Sequence, residues 1–130
     1  NNWDLVDVSA PRIVGAHLFT RSRAPLARLA QSTSVWERRI AILATLYFIT
    51  RGEVEDTLAI ARTLLDDRHD LIHKAVGWML REVGKRNRGA LEGFLHRYAP
   101  TMPRTALRYA IERFSERERR RYLAVTRLKE

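Results

Sequence analysis

A tryptophan and an aspartate stand four residues apart near the start of this 130-residue chain, at Trp3 and Asp7. Residues four positions apart lie on one face of an α-helix, so a helix here brings an indole and a carboxylate together. Both groups favour a positive charge, the indole through its π face and the carboxylate through its own charge. The pair could therefore stabilise a cation on a substrate. A carboxylate near a helix start also complements the helix dipole, and for Asp7 that structural interpretation stays open.

A second tryptophan, Trp78, lies inside a basic stripe. The apolar residues of segment 70–86 repeat at helical spacing and define one buried face. Trp78 lies roughly 120° from the centre of that face, and its helical neighbours are Lys74, Arg81 and Lys85. An aromatic ring among cations is typical of a nucleic-acid contact, in which the ring stacks and the cations hold phosphates. The alternative is that Trp78 packs against a neighbouring helix pair while the cations are only solvated.

Further arginines stand near predicted helix starts. Arg38 and Arg39 fall in the first turn of one helix, where a cation opposes the helix dipole unless an anion binds there. A salt bridge to Glu37 or to another acid is the alternative. Arg104 and Arg108 lie four residues apart and could continue a track of phosphate contacts.

Several other chemistries lack their residues. The chain has no cysteine, which excludes thiolate metal sites and disulfides and suits a reducing cytoplasm, where we expect the protein to lie. Its four histidines show no ligand-like spacing with acids, so no metal site is expected. Neither a glycine-rich phosphate loop nor a G-x-S-x-G motif is present, and no cofactor is expected.

The net charge favours a polyanionic partner. Lys and Arg together number 24 against 15 acids, giving a charge of +9, and 21 of the 24 are Arg, whose planar guanidinium suits phosphate. A GC-rich genome would explain the high share of Arg but not the excess of positive charge. The 45% hydrophobic content is ordinary for one globular domain. No run approaches 18 consecutive apolar residues and no signal-peptide pattern is present, so no contact with a membrane is expected.

Helical periodicity dominates the chain and predicts an all-α fold. Ser34 with Glu37, and Ser115 with Glu118, are capping boxes that mark two helix starts. The predicted helices cover residues 3–18 with a bend at Pro11, 24–31, 35–51, 54–65, 71–85 with Asp70 as the cap, 88–98, 104–114 and a last helix that begins after Ser115.

The helices also repeat. "RRIAI" at 38–42, "HKAVG" at 73–77 and "LRYAI" at 107–111 share a basic-then-apolar pattern about 35 residues apart, each in the first helix of a pair. This period predicts a single HEAT-like domain over 1–130, an α-solenoid of antiparallel helix pairs whose concave face binds an extended partner. A generic helical bundle is the alternative.

Three of these segments, "WDLVD", "WERRIAI" and "DLIHKAVGWMLREVGKR", in this order and spacing, resemble the AlkD-type DNA glycosylases of alkylation repair. The resemblance covers essentially the whole chain, which looks like the C-terminal part of a family protein that is longer at its N-terminus. It implies a HEAT-like fold and the excision of cationic N3- and N7-alkylated purines from double-stranded DNA.

The resemblance also implies roles for four residues. Trp3 matches the first cleft tryptophan, Asp7 the catalytic acid, Arg39 the cleft arginine and Trp78 the second cleft tryptophan. Asp7 would stabilise an oxocarbenium-like sugar and orient water. Such an enzyme works from the backbone side of the DNA without a base pocket.

Two other functions fit the same residues. A non-catalytic HEAT-like module would bind branched or distorted DNA, with Lys74, Arg81 and Arg108 as phosphate contacts. A protein-binding scaffold would use neither the cations nor DNA. An array that lacks its N-terminal repeats exposes an apolar face, so the chain is also expected to self-associate or to bind DNA weakly.

Overall fold

The computed structural model describes the backbone of residues 11–129 and the side chains of residues 13–125, and within this range all regular structure is helical. The predicted all-α class is confirmed. A π-helical turn, Pro11–Gly15, leads into the first α-helix. The α-helices are α1 (Ala16–Leu18), α2 (Ala24–Ala30), α3 (Val35–Ile49), α4 (Glu55–Leu64), α5 (Asp70–Arg86), α6 (Arg88–Tyr98), α7 (Arg104–Ala110) and α8 (Glu116–Lys129), with a 3₁₀ turn at Ala99–Thr101 after α6.

Both predicted capping boxes mark helix starts. The Ser115 hydroxyl accepts a bond from the Glu118 amide at 3.2 Å, and the Glu118 carboxylate accepts one from the Ser115 amide at 3.1 Å, as the motif requires. The Ser34 hydroxyl likewise accepts from the Glu37 amide, but the Glu37 carboxylate accepts from the hydroxyl of Ser32 instead. Only one of the two hydrogen bonds of this capping box is therefore formed.

Two predicted helix ends are wrong. His69, rather than Asp70, caps α5, because its Nδ1 accepts the Leu71 amide at 3.2 Å. The helix α7 ends at Ala110, because residues 111–114 form a turn whose last carbonyl accepts from the Arg119 guanidinium at 2.7 Å. The predicted bend at Pro11 is the start of the π-helical turn.

The helices form two layers. The first layer consists of the segment Pro11–Leu18 followed by α3, α5 and α7, and each member packs against the next. The second layer consists of α2, α4, α6 and α8. Consecutive first-layer and second-layer helices form four pairs, and we call the contacts between successive pairs the N-terminal, middle and C-terminal junctions.

The helix starts agree with the predicted repeat. The first-layer helices α3, α5 and α7 begin at Val35, Asp70 and Arg104, close to the expected period of about 35 residues. This arrangement is compatible with a helical repeat solenoid. The helix α3 lies between two neighbours of its own layer, and residues 41–45 in its middle are fully buried. The sequence of this helix is apolar on nearly every side, which explains its burial.

Two glycines allow the first-layer helices to approach closely. A Cβ atom on Gly15 would lie 2.7 Å from the carbonyl oxygen of Ala44 on α3. A Cβ atom on Gly77 would lie 2.6 Å from the carbonyl oxygen of Ala106 on α7. The two contacts are related by the same displacement of 62 residues along the chain, so the N-terminal and C-terminal junctions repeat each other in atomic detail.

The same register places an aromatic residue on each first-layer helix. Tyr47 packs on Gly15 and Tyr109 packs on Gly77. Trp78 on α5 follows Tyr47 by half of this 62-residue displacement. The candidate site residue Trp78 therefore occupies the middle junction's equivalent of a packing tyrosine.

None of the described helices is both long and apolar enough to cross a membrane.

Candidate nucleic-acid interface

The candidate site residues fall into two groups. Trp3 and Asp7 lie outside the described residues. Arg39 and Trp78 lie on α3 and α5, which are neighbours in the first layer. The structure thus assigns these two residues to the two sides of the middle junction.

Arg39 is almost completely buried, with 7% of its surface exposed. Its guanidinium donates a hydrogen bond of 2.6 Å to the carbonyl oxygen of Leu71, in the first turn of α5. This bond fixes the cation across the middle junction. The neighbouring Arg38 forms a salt bridge of 2.6 Å with Asp67, so for Arg38 the alternative of a structural acid partner is correct. Glu37 bonds to Ser32.

Trp78 is half-buried and packs against the hydrophobic core. The packing alternative therefore accounts for part of the ring, and the rest of it remains accessible. A junction position explains this double character. Part of the side chain packs against the core, and the part that stays accessible lies on the same helix as Lys74, Arg81 and Lys85.

Each described cation of that stripe has an acid partner. Lys74 lies 3.2 Å from the Asp70 carboxylate and Lys85 lies 3.0 Å from Glu82, both within α5. Arg81 forms a salt bridge with an acid of α7, Glu112. Ion pairs of this partly exposed kind contribute about 0–1 kcal/mol, so a phosphate can replace the carboxylate at little cost. The pairs orient the cations without fully neutralising the stripe.

The basic residues of α7 differ from those of α5. Arg108 is exposed and forms neither a hydrogen bond nor an ion pair within the part of the chain that the structure describes. Arg104, one turn earlier, is half-buried, and its Nη1 is a buried donor without a hydrogen-bond partner among the described residues. Both side chains can donate to an anion without first breaking a described bond.

The histidines of α5 have structural partners. His69 caps the helix, and the Nε2 atom of His73 contacts the carbonyl oxygen of Asp67. Among the described residues, no group of three or more His, Asp and Glu side chains could hold a metal ion. The described interface is built from cations and aromatic rings.

Sequence reasoning missed the acid partner of Arg81. Glu112 lies 31 residues later, at the same interval that relates Tyr47 to Trp78 and Trp78 to Tyr109. An interval of 31 residues would have indicated this pair. The sequence showed only an approximate period of about 35 residues.

Comparisons with known proteins place these residues in a family. A comparison with curated proteins finds no match. The family model of the DNA alkylation repair enzymes matches residues 1–114, which include the segment before α1 and every helix through α7. The helix α8 lies beyond the matched residues. The chain therefore belongs to the family of DNA alkylation repair enzymes, and this membership supports a role in DNA repair with DNA as the substrate.

Proposed function

We propose that the protein is a DNA glycosylase that excises cationic N3- and N7-alkylated purines from duplex DNA. The observation that carries the proposal is that one family match spans all four candidate positions, Trp3, Asp7, Arg39 and Trp78. The fixed position of Arg39 beside α5 and the half-exposed ring of Trp78 support it further.

The chemistry needs few protein groups. Alkylation at N3 or N7 gives the purine a positive charge, so the base is already a good leaving group. When the bond between C1′ and the purine nitrogen breaks, its electron pair neutralises the base, and positive charge develops on the sugar. The Asp7 carboxylate stabilises that charge and orients the water that adds to C1′ and loses a proton.

The aromatic and basic residues would hold the substrate. Trp3 and Trp78 contact the deoxyribose of the lesion, because an indole face attracts a sugar that carries positive charge. Lys74, Arg81 and Arg108 bind phosphates near the lesion. Selectivity then comes from the charge and lability of the alkylated base.

The decisive experiment is Asp7→Asn, which removes the negative charge and keeps the shape. Release of 7-methylguanine from methylated duplex should fall by on the order of 10²-fold or more, the size of a lost charge-stabilising group. Binding to the same duplex should remain. The matched control is Asp4→Asn, which removes the same charge from a nearby position to which the family resemblance gives no role. Unchanged release by Asp7→Asn would remove this residue from the mechanism.

The assay should be run on the 130-residue chain and on a chain extended by the N-terminal helices that the family resemblance predicts. Release by the longer chain alone would show that the additional helices are needed for catalysis.

Arg108, which has no partner among the described residues, and the basic stripe on α5 support a second candidate function, a non-catalytic module that binds branched or distorted DNA. It predicts strongly salt-dependent binding, with about 0.9 added to the log–log slope for each phosphate contact. It also predicts that no base is released from alkylated duplex by either chain.

A further inference from the structure

A cleft of about 170 Å³ lies where α5 ends, α6 begins and α7 turns toward α8. Four cationic side chains line it, those of Arg81, Lys85, Arg88 and Arg113, and no acid is among its described lining residues. Its floor is apolar and includes Leu91 and Phe114, which are 1% and 6% exposed. A concave surface with this lining selects for a small anion.

The acids near the cleft pair with its cations but do not line it. Arg81 pairs with Glu112, Lys85 with Glu82 and Arg88 with Glu118, yet none of these carboxylates lines the cleft. The fourth cation, Arg113, is exposed and makes no hydrogen bond or ion pair within the described part of the chain. Arg113 is therefore the cation of the cleft that has no described acid partner, and it leaves the lining with a net positive charge.

Arg88 is held in a fixed orientation. Its guanidinium carbon lies 4.1 Å from the centre of the Phe114 ring, and its Nη2 atom lies 2.5 Å from the Glu118 carboxylate. A guanidinium that is already oriented loses little entropy when it binds a second anion, and its planar fork suits the oxygens of a phosphate. The wall of the cleft is thus preorganised.

The helix dipole alone does not explain these four cations. Basic residues in a last turn interact favourably with the helix dipole, which accounts for Lys85 near the end of α5. Arg113 lies three residues beyond Ala110, the last residue of α7, and the dipole effect falls off within the last turn. Arg88 stands at the start of α6, where the dipole disfavours a cation. Glu92 and Glu118 are acid partners of Arg88, whereas Arg113 has none among the described residues. An anion in the cleft would explain the position of Arg113.

The volume limits what can bind. Pockets for drug-sized ligands measure about 300–1,000 Å³, so a cleft of 170 Å³ takes a single small anionic group and not a whole nucleotide. Lys85 lies seven residues after Trp78, which places the cleft about 10 Å farther along α5. The cleft shares Arg81 with the proposed phosphate contacts near the lesion and extends beyond them.

We propose that the cleft bounded by Arg88 and Arg113 binds a phosphate group. The phosphate comes from the DNA backbone beside the lesion site or from a free phosphate monoester. The first source rests on the proposed action on DNA, whereas the second does not.

The test compares Arg113→Ala with Arg62→Ala. Arg62 is an exposed residue of α4 in the second layer, without an ion pair among the described residues, so both variants lose one equivalent charge. Binding to an unmodified duplex is measured by fluorescence anisotropy over a series of salt concentrations. Arg113→Ala should bind about five- to tenfold more weakly and lower the log–log salt slope by about 0.9, the value for one phosphate contact. Arg62→Ala should change binding less than twofold.

A second arm uses inorganic phosphate as the probe. If DNA binding by Arg113→Ala equals that by Arg62→Ala, but phosphate raises the Tm of the wild type and not of Arg113→Ala, the ligand is a free phosphate and the DNA source is wrong. If the two variants agree in both arms, the proposal is overturned. Thermal unfolding of each variant without phosphate checks that it folds.

The outcome is independent of the glycosylase assay. Loss of base release with the salt effect intact would refute the proposed catalysis and keep the cleft. Retained release with equal variants in both arms would refute the cleft alone.

Discussion

The two outer junctions of the array resemble each other, and the middle junction differs from both. In the N-terminal junction Gly15 packs on Tyr47, and in the C-terminal junction Gly77 packs on Tyr109. At the equivalent register of the middle junction the tyrosine is replaced by Trp78. The departure from the repeat falls at a residue that the family resemblance places in the active site.

A contact between an arginine and a phenylalanine also repeats between the two outer junctions. Arg23 lies over the ring of Phe48 at 4.0 Å and pairs with Glu53 at 3.1 Å. Arg88 lies over the ring of Phe114 at 4.1 Å and pairs with Glu118 at 2.5 Å. Each of these two arginines precedes its acid by 30 residues.

The described polar contacts of the middle junction lie at the start of α3. There Arg38 bonds to Asp67 and Arg39 to the Leu71 carbonyl, both from the start of α3. Outer junctions that share the glycine–tyrosine contact and the arginine–phenylalanine contact are explained by packing alone. A junction that keeps the fold but changes the contacts indicates a second demand on its residues, and we attribute that demand to DNA.

The largest effect is expected from Gly77→Ala, which breaks an outer junction. The added Cβ would lie 2.6 Å from the Ala106 carbonyl oxygen, so α5 and α7 must move apart. Overpacking of this kind costs about 1–3 kcal/mol of unfolding free energy, measurable by urea denaturation.

Gly93→Ala is the matched control. A Cβ on Gly93, an exposed residue of α6, meets nothing within 4 Å. This substitution should stabilise the protein by about 0.5–1 kcal/mol, because alanine favours a helix over glycine. Equal effects of the two substitutions would contradict the tight contact between α5 and α7.

Local sequence signals predicted most of the helices. Ser115 and Glu118 satisfy each other's backbone groups within four residues, so the start of α8 could be located without tertiary information. Gly52 follows α3 with a φ of +88°, a left-handed conformation that favours glycine just after a helix end. Such signals act between neighbours along the chain.

Interactions between distant residues could not be predicted in this way. The helix α7 ends early because Arg119 bonds to carbonyl oxygens of the following turn, and Phe114 in that turn is buried. The pairing of Arg81 with Glu112 depends on the register between two helices. The basic stripe around Trp78 was predicted from helical spacing. Its acid partners, Asp70, Glu82 and Glu112, were not predicted.

A smaller effect is expected from Trp78→Tyr, which gives the middle junction the aromatic residue of the outer two. The unfolding free energy should change by less than about 1.5 kcal/mol, since a tyrosine ring can still pack against the core that Trp78 contacts. Release of 7-methylguanine should fall about fivefold, because tryptophan offers the stronger π face to a cation. Binding to unmodified duplex should stay the same. An unchanged release rate with reduced stability would leave Trp78 a packing residue only.

The smallest expected effect is a difference between the two outer junctions in how their contribution to stability depends on pH. The hydrogen bond from Arg88, with further bonds from Ser115, lowers the pKa of Glu118 to about 2. Burial raises the pKa of Asp56, the second acid beside Arg23, although the charge of Arg23 opposes that shift.

The two acids should therefore affect stability with opposite signs. Glu118 favours the fold above its ordinary pKa of 4.5, and this contribution is lost as the pH falls from there to about 2. The Asp56 carboxyl binds its proton more tightly in the folded state, so its contribution is most favourable below its ordinary pKa of 3.8 and declines as the pH rises through the raised pKa. Urea unfolding between pH 2 and pH 7 measures both effects. The advantage of wild type over Glu118→Gln should shrink as the pH falls, and its stability relative to Asp56→Asn should grow over the same change. If both stability differences change in the same direction as the pH falls, the pKa values of Glu118 and Asp56 are shifted in the same direction. Burial would then not distinguish the two acids.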